Sequence, residues 1–201
     1  MAFVKQIGEG EATGPLKGVY DAARDRAGAV ANIIKVMSLD PRSLRASMQL
    51  YVSIMKSDNA LEAARREMLA TVVSNINECH YCTIHHARDF GRESNNKPLA
   101  EQLIYDYRTA SLTEADRALC DYAVKLTRTP GGVGAADVER LRRHDFDDEA
   151  ITIAVQVIGD FNYINRIGNG LGVDCEPWMS PSREEWDRRR GRDYLQALDA
   201  E

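Results

Sequence analysis

Between Glu67 and Phe90 the chain gathers side chains suited to moving protons and electrons: Cys79, Cys82, three histidines and an acid, Glu67, inside an otherwise apolar run. On a helix, Cys79, Cys82 and His86 stand at i, i+3 and i+7, so they share one face. Two thiols and a base on one face can exchange protons. A thiolate attacks the O–O bond of a peroxide and becomes a sulfenic acid. A second thiol nearby condenses with it to a disulfide and prevents irreversible over-oxidation. Cys-x-x-Cys can close that bond within a helical turn. His86, one turn beyond Cys82, is placed to help remove the thiol proton, and Glu67 to accept or orient it.

Other readings of the same residues stand beside this one. The cysteines could be inert core thiols, although so many reactive types in one apolar run argue against it. As a structural zinc site, Cys79, Cys82 and His86 give three ligands and no obvious fourth. Glu67 could be a surface carboxylate of an amphipathic helix. His80 and His85 fall off the shared face and are expected to be solvated or to pack between helices, and Tyr81 to be a packing aromatic. Cys120 is expected to be a buried, inert thiol; Cys175, in a Gly-rich loop, has no assignment.

The site sets a demand on the backbone. In one straight helix the twelve residues from Glu67 to Cys79 would span ~18 Å, too far for a carboxylate to reach a thiol. The chain must therefore bend at Asn75-Ile76-Asn77, and asparagine suits such a bend. Asn77 is then expected to cap a second helix with Cys79 in its first turn, where the helix N-terminus favours thiolate.

The remaining elements read as helices too. The first fourteen residues look like a loose arm. Pro15 opens a helix to about Gly28, and Asp40-Pro41 caps one to about Lys56. Helices follow over about 60–74, from the bend to near Gly91, and from Pro98 to about Tyr107. Further helices are expected over 114–128, 135–143 and 149–167, the last closed by Gly168 and Gly170. Ser182-Arg183-Glu184-Glu185 has the form of a capping box for a charged helix reaching about Leu198. No alternating strand pattern occurs, so the fold class is all-α. Asn162, Asn165 and Arg166 are expected to bond neighbouring groups, and the arginine run 188–192 to be neutralised by surrounding acids.

The 201 residues suffice for one domain with a substantial core, and 44% hydrophobic with 28% charged residues is ordinary for a globular protein. A net charge of -5 gives no global signal for nucleic acid or an acidic membrane surface. No apolar run approaches the ~18 residues of a spanning helix. With no long apolar core at the N-terminus, the expected location is the cytoplasm.

Glu67-x11-Cys79-x2-Cys82-x3-His86 resembles the signature of the alkylhydroperoxidase D (AhpD)-like branch of the carboxymuconolactone decarboxylase superfamily. Arg65-Arg66-Glu67 upstream and Asp160-Phe161-Asn162-Tyr163-Ile164-Asn165-Arg166-Ile167 downstream are similar to its single-motif "peroxidase-related" members, and the likeness spans about residues 15 to 175. The resemblance implies an all-α AhpD-like bundle, assembled as a homo-oligomer (trimer or hexamer), without haem, metal or other cofactor. It implies that Cys82 attacks a hydroperoxide, Cys79 resolves, and His86 and Glu67 relay the proton. Residues 1–14 would form an arm, 15–175 the helical domain, and 176–201 a charged helix on the same domain or a neighbouring subunit. This chain has Tyr81 where the best-known branch has a histidine. That branch is recycled by a lipoyl-bearing protein, and no docking surface for one is visible in the sequence, although a dithiol reductant is implied.

The expected activity is a thiol-dependent peroxidase. Its rivals are a redox-sensing or partner-binding helical scaffold without turnover, and a lactone decarboxylase like the founding members of the superfamily. The founding enzymes do not rely on a cysteine pair.

Overall fold

The structure is a computed structural model that describes residues 1–192. Among them ten α-helices occur and no strand: α1 (Gly14–Ala27), α2 (Asn32–Val36), α3 (Pro41–Tyr51), α4 (Ala63–Ile76), α5 (His80–Glu93), α6 (Lys97–Tyr105), α7 (Glu114–Arg128), α8 (Ala135–Arg142), α9 (Asp148–Leu171) and α10 (Arg183–Arg189). Among the described residues, no helix is long and apolar enough to cross a membrane.

Helix α4 is the hub. Every residue from Arg66 to Ile76 is buried, so apolar side chains occur on all its sides rather than along one stripe, with Arg66, Glu67, Thr71, Ser74 and Asn75 buried among them. Leu69, Val73 and Ile76 are fully enclosed, each contributing about 1.5–3 kcal/mol relative to exposure. Helices α5, α6, α7 and α9 surround it. Inside this shell Cys120 is completely buried, as its helix face foretells, and burial lifts its pKa well above that of a free thiol.

Several boundaries differ from the sequence reading for identifiable reasons. After α3 the chain widens into a π-helical turn, Val52–Lys56, which brings Lys56 to α4. Helix α5 runs through Gly91, whose missing side chain admits Ala100 of α6: a Cβ there would stand 3.2 Å from the Ala100 Cβ. Helix α9 likewise runs through Gly168 and Gly170 and stops at Gly172, whose φ of 69° is the left-handed conformation of a helix terminator. The first residues do not hang loose. Phe3 N–H donates to the Leu171 carbonyl (2.9 Å) and Ile7 N–H to Ser38 Oγ (2.9 Å).

Ser182 caps α10 by accepting from Glu185 N–H. Trp186 is buried and its Nε1–H donates to the Ile104 carbonyl (2.8 Å), fastening α10 to α6. The chain leaves helix at Arg190, short of the expected end near Leu198, and residues 193–198 of that expected helix lie outside the described residues. Arg188 and Arg189 pair with Glu184 and Glu185, while buried Arg190 pairs with Asp187 and with Glu78.

Candidate active site

The bend required between Glu67 and the cysteines is a helix-terminating turn of three residues. Glu78 N–H donates to the Asn75 carbonyl and Cys79 N–H to the Ser74 carbonyl, with Glu78 left-handed at φ 58°. This is the Schellman arrangement, with glutamate where glycine is usual. Helix α4 extends through Ile76, so Asn77 ends it rather than capping α5; Cys79 itself is the N-cap of α5. The expectation of Asn77 as cap fails because the turn is too tight to hold a separate capping residue. Asn77 instead donates from Nδ2 to the Oδ1 atoms of Asn162 and Asn165, both 3.1 Å away. Asn165 Nδ2 donates to Ser74 Oγ (3.0 Å) and Asn162 Nδ2 to Thr127 Oγ1 (3.1 Å). These asparagines therefore bond neighbouring groups, as expected, and pin the turn to α9.

The turn makes α4 and α5 antiparallel and sets Glu67 against His86: His86 Nδ1 lies 2.6 Å from Glu67 Oε2. A carboxylate only accepts, so the hydrogen sits on Nδ1 and Nε2 is left to exchange protons. Lys56 Nζ donates to Glu67 Oε1 (2.8 Å), a partner the sequence reading missed. Glu67 is 1% exposed. Burial alone would raise its pKa, but the charge and hydrogen bond of His86, with those of Lys56, hold it at about 2. The surface-carboxylate alternative is thereby excluded.

Cys79 and Cys82 are free thiols, both buried at the start of α5. The neighbouring Cys82 thiol, against the effect of burial, lowers the pKa of Cys79; the Cys82 amide and Asn165 add to it. Cys82 is pushed well up, first by Cys79 and then by burial.

The two cysteines line different cavities. Cys82 lines one of about 450 Å³ with Tyr51, Lys56, His85, His86 and Asp160. Phe161 packs its edge on His86 (centroids 4.5 Å), and Arg88 stacks over Trp178 (4.2 Å) at the rim. Cys79 lines a second cavity, of about 430 Å³, with His80, Gly168, Cys175 and Arg183.

Two polar atoms of the first cavity are buried without a hydrogen-bond partner: Asp160 Oδ1 and His85 Nδ1. Burial raises the Asp160 pKa to about 6, against the charge of His86. Burial, then the charge of His86, lowers that of His85 to about 3. A buried polar atom without a partner is expensive, which marks both as positions where a ligand could bond. The sequence placed Asp160 in a recognisable segment but gave it no role. His85 is half-buried in the cavity wall, and His80 is buried and hydrogen-bonded rather than solvated. Tyr81 packs as expected and donates from its hydroxyl to Glu176 Oε1 (2.9 Å). Among the described residues, no group of three or more His, Cys, Asp or Glu converges as a metal site requires.

Residues 41–104, which include all four motif positions, match the carboxymuconolactone decarboxylase family. A structure described as an alkylhydroperoxidase AhpD core, an uncharacterized peroxidase-related protein from Ralstonia eutropha JMP134, superposes with a TM-score of 0.82 at 25% identity, covering 88% of this chain and 93% of that one. An uncharacterized peroxidase-related protein from Silicibacter sp. TM1040 gives a TM-score of 0.77 at 29% identity, covering 89% and 95%. The debrominase Bmp8 shares the fold, with a TM-score of 0.73 at 20% identity over 87% and 92%. No curated protein matches the sequence.

Proposed function

We propose, on the premise that this chain belongs to the AhpD-like carboxymuconolactone decarboxylase superfamily, that it is an enzyme reducing organic hydroperoxides through a Cys79–Cys82 dithiol/disulfide cycle. The observation that carries this reading is that Cys82, three residues from Cys79, shares one cavity with His86, whose Nδ1 is held by the buried, doubly paired Glu67 carboxylate.

Cys82 is the sulfur that meets the peroxide, because it lines the cavity shared with His86 and Asp160. Its proton leaves to His86 Nε2, whose orientation and charge Glu67 maintains. The Cys82 thiolate attacks the nearer peroxide oxygen, the O–O bond breaks, and the alkoxide departs. Asp160, a carboxyl that holds its proton to about pH 6, faces the same cavity and donates to the departing oxygen. The Cys79 thiolate then attacks the Cys82 sulfenic acid, forming the disulfide, and the oxygen leaves as hydroxide that takes the His86 proton to become water. Two thiols and one hydroperoxide give one disulfide, one alcohol and one water. Ile34, Met37, Met48 and Phe161 line the cavity too, which favours alkyl over hydrogen peroxide.

A dithiol, for which a lipoyl group is the implied candidate, would return the disulfide to thiols. Exposed Leu50, Val155 and Tyr163 around one shallow depression support the proposed homo-oligomer, which light scattering of the purified protein tests.

The deciding experiment is steady-state consumption of cumene hydroperoxide with dihydrolipoamide, comparing wild type with Cys82→Ser. Turnover well above buffer that vanishes in Cys82→Ser is the expected result. A wild type no faster than Cys82→Ser would sink the peroxidase reading and leave the redox-sensing scaffold.

A further inference from the structure

The loop after α9 returns Cys175 to the start of α5, where its Sγ lies 3.4 Å from His80 Nδ1. The other ring nitrogen, Nε2, is 2.9 Å from the Pro181 carbonyl oxygen. A carbonyl only accepts, so Nε2 carries the hydrogen and Nδ1 presents a lone pair to the thiol. Burial, with the Pro181 carbonyl opposing it and Arg183 reinforcing it, keeps the His80 pKa below that of a free imidazole. The ring is thus a neutral base near pH 7. The Trp186 ring, 5.3 Å away between centroids, packs against it. A nucleophile, its base and a group that fixes the base's tautomer stand together, the arrangement of an activated thiol.

Cys175 faces the back of the dithiol. It lines the second cavity with Cys79, whereas Cys82 lines the first. Gly168 packs against the buried Cys79 sulfur on this side, with no side chain between them: a Cβ there would stand 3.4 Å from Sγ. Cys175 is itself exposed. Partial burial pushes its pKa up, so it rests as a thiol and needs a base at the moment of attack.

Resting on the dithiol reading above, we infer that Cys175 is a third redox thiol that carries electrons from an external dithiol to the Cys79–Cys82 disulfide through the second cavity. His80 Nδ1 takes the Cys175 proton, and the thiolate attacks the Cys79 sulfur. The Cys79–Cys82 bond breaks, a Cys79–Cys175 bond forms, and Cys82 departs as a thiolate that acquires a proton. One thiol of the external dithiol then attacks the exposed Cys175 sulfur and frees Cys79. Its second thiol displaces Cys175, leaving the reductant as its own disulfide. Two electrons and two protons pass from reductant to protein, and all three cysteines end reduced. Oxidant and reductant thereby approach the pair from opposite sides.

The test oxidises Cys82→Ser with diamide, which makes disulfides without any peroxidase step, and maps linkages by non-reducing peptide mass spectrometry. A Cys79–Cys175 peptide is expected; its absence with Cys175 still open to alkylation overturns the inference and leaves the peroxidase reading intact. In parallel, the diamide-oxidised wild type and Cys175→Ser are reduced by dihydrolipoamide under stopped flow, with Cys120→Ala as a control for loss of an enclosed thiol. Reduction of Cys175→Ser is expected to be slower by about tenfold or more, and equal rates overturn the relay. His80→Gln should be slow near about pH 7 and recover only above about pH 9, where Cys175, its pKa raised by burial, ionises unaided, a recovery that a merely structural role would not produce.

Discussion

Glu67 Oε2 and His86 Nδ1, nineteen residues apart in the chain, meet at 2.6 Å between two antiparallel helices, and Lys56 closes on the other carboxylate oxygen at 2.8 Å. The carboxylate therefore fixes which nitrogen of His86 is available and stabilises the imidazolium once it forms. Glu67→Gln keeps the shape and removes the charge. Peroxide consumption is expected to fall in kcat/KM by about 10²-fold, at the lower end of what positioned acid–base groups contribute.

The same pair sets an acid limit on folding. Glu67 is held at about 2 against an ordinary value of 4.5, so the folded state binds its proton less readily than the unfolded chain. Its contribution is complete above about pH 4.5 and is lost as pH falls toward about 2. Urea unfolding should show wild type losing stability across that window more steeply than Glu67→Gln, with the two curves converging at the acid end. Parallel curves would contradict the assignment.

Asp160 has the opposite sign. Its folded value of about 6 lies above the ordinary 3.8, so its contribution is fullest below 3.8 and disappears as pH rises through about 6. Asp160→Asn removes a buried carboxylate and is expected to stabilise the protein above pH 6 by about 1–2 kcal/mol. Peroxide turnover should drop at the same time, and the decline of the wild-type rate above about pH 6 should vanish from its profile. A stabilised variant with unchanged turnover would remove Asp160 from the chemistry.

Asn165 links α9 to the turn through Ser74 and Asn77 and lowers the pKa of both thiols. Asn165→Ala leaves buried partners unsatisfied and should cost about 1–3 kcal/mol in urea unfolding. The pH midpoint for alkylation of the pair should move upward. Unchanged alkylation in a destabilised variant would mean that Asn165 serves the turn alone.

The parts of this site that lie close in sequence were legible there. The spacing of Cys79, Cys82 and His86 placed them on one face, and arithmetic on Glu67 demanded a bend that the structure provides. What joins distant segments was not. Nothing local to Lys56 announces Glu67, and nothing local to Cys175 announces His80, because helical periodicity reports which side of an element is apolar, not what packs against it. Gly168 misled for a related reason. A glycine in a helical pattern reads as a terminator, yet tertiary packing holds the helix through it and uses the missing side chain as space beside Cys79. His80 and His85, off the shared face, take the second of their two expected roles and pack, because the chain crowds both sides of α5.

Because Cys79 both completes the terminating turn of α4 and begins α5, the junction has no spare length. Inserting or deleting a single residue between Asn77 and Cys79 would break the paired hydrogen bonds of the turn and shift α5 relative to α4. His86 would swing away from Glu67, and the two cysteines would lose their separate cavities together. Variation in chain length across relatives should therefore be excluded from this junction and concentrated in connections such as 129–134, which the site does not touch.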